Sequence, residues 1–234
     1  MSDLQAILRL SSTRHKHLCP RQVLGARIGL AGAAALGLAL PRTDKRLLVI
    51  LETDGCFADG VEVATGCTVG HRTLRIEDYG KIAATLIDVK TEQAVRVLPQ
   101  LDVRERARSH APAEPRPYFA QLHGYQRMPD AELLTIQAVT LQTSIAVIVS
   151  RPGIRVNCTQ CGEEIINERE VLIDNRPYCR ACSGQGYYQL PAPPLAASSA
   201  HGNSGTAAVM AAGSYANSNK GASCLIPAPY PPGP

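Results

Sequence analysis

The chain has 234 residues, of which 45% are hydrophobic, and its formal net charge is +4. This length allows one core of ordinary size and one small module, and the weak positive charge argues against a nucleic-acid-binding surface. With no Trp and only two Phe, the core must be built from aliphatic side chains. Eight cysteines in such a chain favour a reducing compartment, so we expect a cytoplasmic protein.

The first forty residues predict two helices. Residues 3–10 have the apolar spacing of a helix, and a long helix begins at Pro20 and runs to about Leu40. Arg27 interrupts its apolar run, which is too short to cross a bilayer, so we expect a buried core helix and no membrane association. Three of its glycines are spaced to let another backbone approach closely: Gly25, Gly29 and Gly32.

The next hundred residues alternate between strand and helix patterns. Residues 46–52 form a continuous apolar run, as expected for a strand buried on both faces. A short helix is predicted to end at Gly66, and residues 145–149 fit either a strand or a helix. The other predicted strands are 82–89, 94–98 and 133–141, and the other predicted helices are 101–110 and 118–127. These patterns predict an α+β domain over residues 1–150, with a mixed sheet packed against helices.

Two Cys-x-x-Cys pairs, Cys158/Cys161 and Cys179/Cys182, are separated by 17 residues. Four thiolates with this spacing bind zinc tetrahedrally, each pair forming one tight knuckle. Two disulfides are the alternative, but a bridge across two residues is strained and nothing else in the chain looks secreted. We therefore predict a structural zinc site, closed to substrate, in a treble-clef or zinc-ribbon-like module over residues 154–186.

The segment 190–234 differs in composition from the rest of the chain. It holds eight of the seventeen prolines and one charged residue, Lys220, among mostly small and polar residues. Too few large apolar side chains remain to offset the entropy of ordering, so we expect this tail to be disordered.

Outside the module, the reactive side chains fall in three short stretches. Pro20 at a helix start places Cys19 at the N-cap, where free N–H groups stabilise a thiolate. In an extended lead-in, His17 projects to the same side, where it can ligate a metal or act as a base. Cys56 follows a buried strand through a turn into a helix, and Cys67 lies beside Gly66. For each cysteine the alternative is a buried structural thiol.

Four motifs, in order, resemble those of the FmdE family of formylmethanofuran dehydrogenase proteins. They are His-x-His-Leu-Cys-Pro at 15–20, Thr-Asp-Gly-Cys at 53–56, Thr-Gly-Cys-Thr at 65–68 and Asp-Tyr-Gly-Lys at 78–81. The resemblance covers about residues 10–150, and many members of that family carry a zinc module after this domain. It implies an α+β core, often a homodimer, with a thiol- and histidine-lined groove that can bind a metal such as zinc. Arg21 stands where the family usually has glycine, and His71 where a lysine is common.

Carried onto this chain, the resemblance places six side chains in the groove: His17, Cys19, Cys56, Cys67, Tyr79 and Lys81. On the first hypothesis, the chain is an accessory protein that binds a metal or sulfur species in support of a molybdenum or tungsten enzyme or its maturation. Cys19, Cys56 and His17 would then hold a second metal besides the structural zinc. Cys67 and Tyr79 would line the same pocket, and Lys81 would hold an anionic ligand or tune a thiolate.

Two other hypotheses remain open at this stage. The chain is either a thiol-dependent enzyme, with Cys56 as nucleophile, His17 as base and Lys81 as electrostatic support, or a zinc-finger interaction protein. The scarcity of aromatic side chains argues against nucleic acid as the partner of such a finger. The distance between the groove side chains would separate the first two hypotheses, because sequence order does not show whether they meet.

Overall fold

The computed structural model describes residues 3–189, apart from the side chain of His15. Its helices are α1 (Leu4–His15), α2 (Pro20–Ala35), α3 (Cys56–Thr65), α4 (Val103–Ser109), α5 (Pro117–Arg127), α6 (Asp130–Leu133) and α7 (Ile145–Val149). The strands are β1 (Leu47–Leu51), β2 (Leu74–Ile76), β3 (Ala84–Asp88), β4 (Ala94–Pro99), β5 (Leu134–Ala138), β6 (Arg155–Asn157), β7 (Glu164–Ile166), β8 (Val171–Ile173) and β9 (Arg176–Tyr178). The predicted disordered tail, residues 190–234, lies outside the described residues.

The first five strands form one mixed sheet in the order β2-β1-β3-β4-β5. Strands β1 and β2 are parallel, with Val49 opposite Leu74, and every other neighbouring pair is antiparallel. This confirms the predicted α+β class with a mixed sheet. Strand β2 has only three residues, too few to show a periodic pattern in sequence.

Strand β1 is buried on both faces of the sheet, as its apolar run predicts. Leu47, Val49 and Leu51 pack into the main core, while Leu48 packs into a second, smaller core with Ile145 of α7. The segment 145–149, which fits either structure in sequence, is a helix, and Ser144 caps it by accepting a hydrogen bond from Val147 N. Helices therefore cover both faces of the sheet: α2 and α3 on one side and α7 on the other.

Helix α2 ends at Ala35, so the prediction that it continues to about Leu40 is wrong. Gly37 adopts a left-handed conformation with φ of 66°. Leu38 N then donates to Ala33 O at 2.9 Å, and Gly37 N donates to Ala34 O at 3.0 Å. This pair of hydrogen bonds is the Schellman motif, which ends helices at glycine. Among the described residues, no helix is both long enough and apolar enough to cross a membrane.

Helices α2 and α3 pack unusually closely through glycine. A Cβ added at Gly25 would lie 2.2 Å from Phe57 O, and one added at Gly60 would lie 2.2 Å from Gln22 O. Gly29, one turn further along α2, faces Thr65 near the end of α3. Because contacts advance along both helices together, the helices run in the same direction and their N-termini lie side by side.

The C-terminal module consists of two short hairpins, β6–β7 and β8–β9, followed by a π-helical turn, Ala181–Gln185. Arginine side chains join it to the core. Arg72 donates to Val149 O at 2.5 Å and to Ser150 Oγ at 2.9 Å, with Asn167 Oδ1 at 3.4 Å. Arg169 donates to Ile148 O at 2.9 Å. Residues through Tyr187 belong to one compact unit.

Candidate functional site

The four module cysteines meet, as their spacing predicts. All four sulfur atoms lie within 4.8 Å of one another, and Cys161 Sγ is 4.0 Å from Cys179 Sγ. Four sulfurs about 2.3 Å from a tetrahedral zinc are separated from one another by about 3.8 Å, so the cluster fits this ion closely. Across residues 3–189, it is the one group of three or more cysteine, histidine or acidic side chains placed to hold a metal.

Backbone N–H groups support the sulfur atoms of this cluster. Cys179 N donates to Cys158 Sγ at 3.3 Å, and Cys182 N donates to Cys179 Sγ at 3.4 Å. Backbone hydrogen bonds, that from Cys161 first, lower the pKa of Cys158 to about 6. The neighbouring thiols, Cys179 first, raise the pKa of Cys182 to about 12. The cluster therefore favours a thiolate at Cys158, and a bound cation would favour ionisation of Cys182.

A second pair of thiols meets at the adjacent N-termini of α2 and α3. Cys19 is the N-cap of α2, Cys56 is the first residue of α3, and Cys19 lies near enough to Cys56 to influence the ionisation of its thiol. The backbone of Cys19 is fixed, because its N–H donates to Gln22 Oε1 at 2.8 Å. The amide of Gln22 in turn donates to Ser11 O at 2.9 Å and Ser11 Oγ at 3.0 Å.

The electrostatics at Cys56 differ from the sequence prediction. A helix N-terminus favours a thiolate, but burial and then contact with Cys19 raise the pKa of Cys56 to about 11. The positive charge of Arg21 acts in the opposite direction without reversing this effect. Cys56 therefore carries its proton at neutral pH unless a cation replaces that proton.

Cys67 does not join this pair. It follows the C-terminal end of α3, whereas Cys56 begins that helix. Its side chain is 1% exposed and its Sγ contacts Leu47 O at 3.4 Å, at the start of β1. Burial raises the pKa of the Cys67 thiol. These contacts are those of a buried core cysteine, the alternative that the sequence left open.

The loop that carries Tyr79 and Lys81 is tied to the end of β1. Tyr79 N and Lys81 N both donate to Glu52 O, at 2.9 and 3.1 Å. Lys81 Nζ lies 6.0 Å from the centre of the Tyr79 ring, and both side chains are exposed. Tyr79 lines a cleft on the sheet face opposite α2 and α3. His17 is exposed in the link between α1 and α2, two residues before Cys19.

Comparison with known proteins identifies the family. The family described as "FmdE, Molybdenum formylmethanofuran dehydrogenase operon" matches residues 14–135, more than half of the chain. The chain belongs to the FmdE family. This confirms the resemblance found in its four sequence motifs.

Two further proteins are similar to this FmdE-family chain. A crystal structure of a tungsten formylmethanofuran dehydrogenase FmdE-like protein from Syntrophus aciditrophicus has a TM-score of 0.52 and 20% sequence identity. The match covers 80% of this chain and 95% of that protein, so the shared fold extends beyond the segment matched by the family. A "probable S-adenosyl-L-methionine-binding protein" from Archaeoglobus fulgidus is 37% identical over 99 residues. That second match covers 41% of this chain and only 27% of the relative.

In this FmdE-family chain, Tyr118, which the sequence did not indicate, and Arg21 of the first motif both lie near the thiol pair. Tyr118, near the start of α5, is 45% exposed, and its pKa is raised by burial and by the charges of Cys19 and Cys56. Arg21 is near enough to Cys56 to lower its pKa. Tyr118 is distant from Cys19 in sequence, and no local pattern links the two. The folded site therefore combines two thiols, a phenol and a guanidinium.

Proposed function

We propose that this chain is an accessory protein that binds a soft metal ion or a sulfur species at Cys19 and Cys56. In this proposal it supports a molybdenum- or tungsten-containing formylmethanofuran dehydrogenase, or the maturation of such an enzyme. The observation that carries the proposal is the placement of Cys19 and Cys56 at the adjacent N-termini of two closely packed helices. The FmdE family and the FmdE-like structural neighbour support the link to this class of enzyme.

The chemistry of the thiol pair favours binding over catalysis. Thiolates are soft ligands that prefer ions such as zinc and copper(I), and a bound ion replaces the proton that Cys56 otherwise retains. The partial positive charge at each helix N-terminus stabilises the anionic sulfur that results. A metal ion held by these two thiolates would have further coordination positions open. His17, a sulfur species or a partner protein could occupy them.

The alternative of a thiol-dependent enzyme is less well supported. A nucleophilic cysteine needs a thiolate near neutral pH, but the pKa of Cys56 is about 11. Lys81, the proposed electrostatic support, is an exposed side chain whose Nζ lies 6.0 Å from the centre of the Tyr79 ring. The four-cysteine module, in this proposal, holds zinc in a purely structural role.

Cadmium titration tests the thiol pair directly, because cadmium–thiolate bonds absorb in the ultraviolet. The full chain, with its module already loaded with metal, should show further thiolate absorption on adding cadmium. Cys19→Ala and Cys56→Ala should each remove this extra signal. Cys67→Ala is the matched control, since it deletes a buried thiol away from the pair and should leave the signal unchanged.

Either of two results would contradict the proposal. One is a full chain that gives no cadmium signal beyond its module. The other is a signal that persists in both Cys19→Ala and Cys56→Ala.

The expected homodimer and the molybdenum or tungsten enzyme partner belong to the same proposal. Light scattering after size-exclusion chromatography should give twice the 25.0 kDa mass of the chain. A monomer at micromolar concentration would contradict the proposed homodimer. It would not bear on the proposed ligand binding at Cys19 and Cys56.

A further inference from the structure

We infer that a second ligand site, for a small organic phosphate, lies in the cleft between the sheet and the C-terminal module. The cleft has a volume of about 800 Å³ and lies on the face of the sheet opposite α2 and α3. Ligand pockets for small molecules commonly occupy 300 to about 1,000 Å³. The site is separate from the thiol pair and does not depend on the function proposed for that pair.

Three arginines from different parts of the fold line this cleft. Arg75 comes from β2, Arg169 from the loop before β8, and Arg180 from the segment after β9. Arg75 and Arg169 are both half-buried, and each is near enough to the other to interact electrostatically. Placing like charges together in a partly buried cleft is unfavourable unless an anion binds between them.

Arg75 makes few contacts with other protein groups. Its Nη1 donates to the carbonyl of the adjacent residue, Leu74, at 3.1 Å, and within residues 3–189 it makes no carboxylate ion pair. Burial, and then the charges of Arg169 and Arg72, lower the pKa of its guanidinium. Arg169, by contrast, is held by carbonyl oxygens at the end of α7, which position its guanidinium beside the cleft.

The charge balance of the cleft favours a phosphate over a single carboxylate. Two acidic residues line it, Glu52 and Glu77. Glu52 is neutralised by Arg96, whose Nε and Nη2 donate to the two carboxylate oxygens at 2.5 and 2.7 Å. The three lining arginines then face the one remaining carboxylate of Glu77, which leaves two positive charges for a ligand. A terminal phosphate group, with a charge near −2 at neutral pH, matches that excess.

The remaining walls are suited to an organic body attached to the phosphate. Ile50, Val147 and Ile148 contribute apolar surface, and the ring of Tyr79 is 67% exposed at the rim. An exposed aromatic ring beside cationic groups can stack on a flat heterocycle while the arginines hold the phosphate. The structure therefore points to a nucleotide-sized ligand with an aromatic group and at least one phosphate.

Isothermal titration of the full, zinc-loaded chain with ADP tests this site. ADP should bind with one site per chain and more weakly as salt rises, because the arginines are partly solvated. Arg75→Gln and Arg180→Gln should each weaken binding by about tenfold or more, the effect of losing one charge-assisted contact. Arg9→Gln is the control, because it removes the same charge from an exposed position on α1, across the sheet from the cleft.

Three comparison ligands show which chemical groups of ADP the cleft recognises. Adenosine should not bind, inorganic phosphate should bind more weakly than ADP, and succinate should also bind more weakly. If succinate bound as tightly as ADP, the cleft would recognise a dicarboxylate and not a phosphate. That result would overturn the inference. Phosphate binding as tightly as ADP, or adenosine binding equally well, would also contradict it.

The variants decide whether the cleft is the site. No ADP binding up to millimolar concentration would overturn the inference, as would equal weakening by Arg9→Gln and Arg75→Gln. Arg75→Gln removes a hydrogen bond to a neighbouring backbone carbonyl, so its melting temperature should match the parent chain. Arg180 is exposed, so Arg180→Gln gives an independent answer if Arg75→Gln is unstable.

Discussion

Cys56 has the first position in α3, where a helix N-terminus favours a negative charge, yet its thiol is harder to ionise than a free cysteine. Burial and contact with Cys19 outweigh the helix because both act over shorter distances on the sulfur itself. A metal ion reverses this balance, since it replaces the proton and pairs with both sulfurs. Cys56 can therefore react slowly with electrophiles while the pair still binds a soft ion.

Alkylation of Cys56 should be slow at neutral pH in the metal-free chain. With a pKa of about 11 instead of 9.0, its thiolate fraction should be roughly a hundredfold smaller. Peptide mapping by mass spectrometry after timed iodoacetamide treatment measures this rate for Cys56 alone. Cys19→Ala should speed the reaction by removing the contact with the second thiol.

The raised pKa of Cys56 also predicts how the stability of the folded state changes with pH. The folded-state pKa of Cys56 lies above the value of 9.0 expected when unfolded, so protonated Cys56 stabilises the folded state. This contribution is complete below about pH 9 and is lost as the pH rises towards 11. Rapid alkylation of Cys56 at pH 7, or a Cys56→Ala chain with an unchanged alkaline stability profile, would contradict this account.

The ion pair between Glu52 and Arg96 is a second residue-scale feature with a measurable consequence. Glu52 is 7% exposed, so Arg96→Met leaves a buried carboxylate without its cation. We expect a loss of about 3 kcal/mol in the free energy of unfolding, measured by urea denaturation. Arg106→Met is the control, because its exposed pair with Asp102 should contribute less than about 1 kcal/mol. Equal losses in the two variants would show that burial of Glu52 does not matter.

The close packing of α2 on α3 is the element-scale feature that builds the thiol site. Because the helices are parallel and approach at glycine, their N-termini bring Cys19 and Cys56 together. The sequence predicts this approach from Gly25 and its neighbouring glycines in α2. It does not identify the partner helix, because packing between distant segments is set by the whole core.

Gly60→Ala should weaken both the fold and the thiol pair. Its new methyl group would lie 2.2 Å from Gln22 O and 2.9 Å from Ala26 N, so the helices must separate. Such overpacking against backbone should cost about 3 kcal/mol in the free energy of unfolding. Gly70→Ala is the matched control, because no atom lies within 4 Å of the position of its new Cβ. Unchanged stability and cadmium binding in Gly60→Ala would contradict the role of this contact.

Other elements show where sequence reasoning ends. The buried strand β1, the glycine contact and the zinc cysteines follow from residue types and spacing within short segments. The positions of Cys67 and Tyr79 do not, because each depends on which end or face of the sheet its loop reaches. Tyr118 is the clearest example, since only the folded chain brings α5 to the start of α2.

At the scale of the whole molecule, the four-cysteine module is joined to the core by arginine contacts that do not involve its sulfur atoms. Arg72 and Arg169 bind backbone and polar groups at the end of α7. The module itself has short strands and few buried side chains, so its stability depends on the metal. The core, with its own five-stranded sheet, should fold without it.

Cys161→Ser should therefore release one zinc and unfold the module while leaving the core folded. Hydrogen exchange followed by mass spectrometry should show lost protection across residues 155–178 and retained protection in β1 and β3. Gln160→Ser, at the exposed neighbouring position, should change neither zinc content nor protection. Loss of the cooperative melt of the core in Cys161→Ser would show that the core and module form one folding unit.

The central claim is that Cys19 and Cys56 hold a metal or sulfur species in addition to the zinc of the module. Native mass spectrometry of the full chain, purified without added metal or chelator, tests it most directly because it detects both kinds of ligand. We predict one module zinc plus a second bound metal or sulfur on the parent chain, and the module zinc alone on the Cys19→Ala/Cys56→Ala chain. A parent chain that carries only the module zinc, or a double variant with an unchanged load, would contradict the claim.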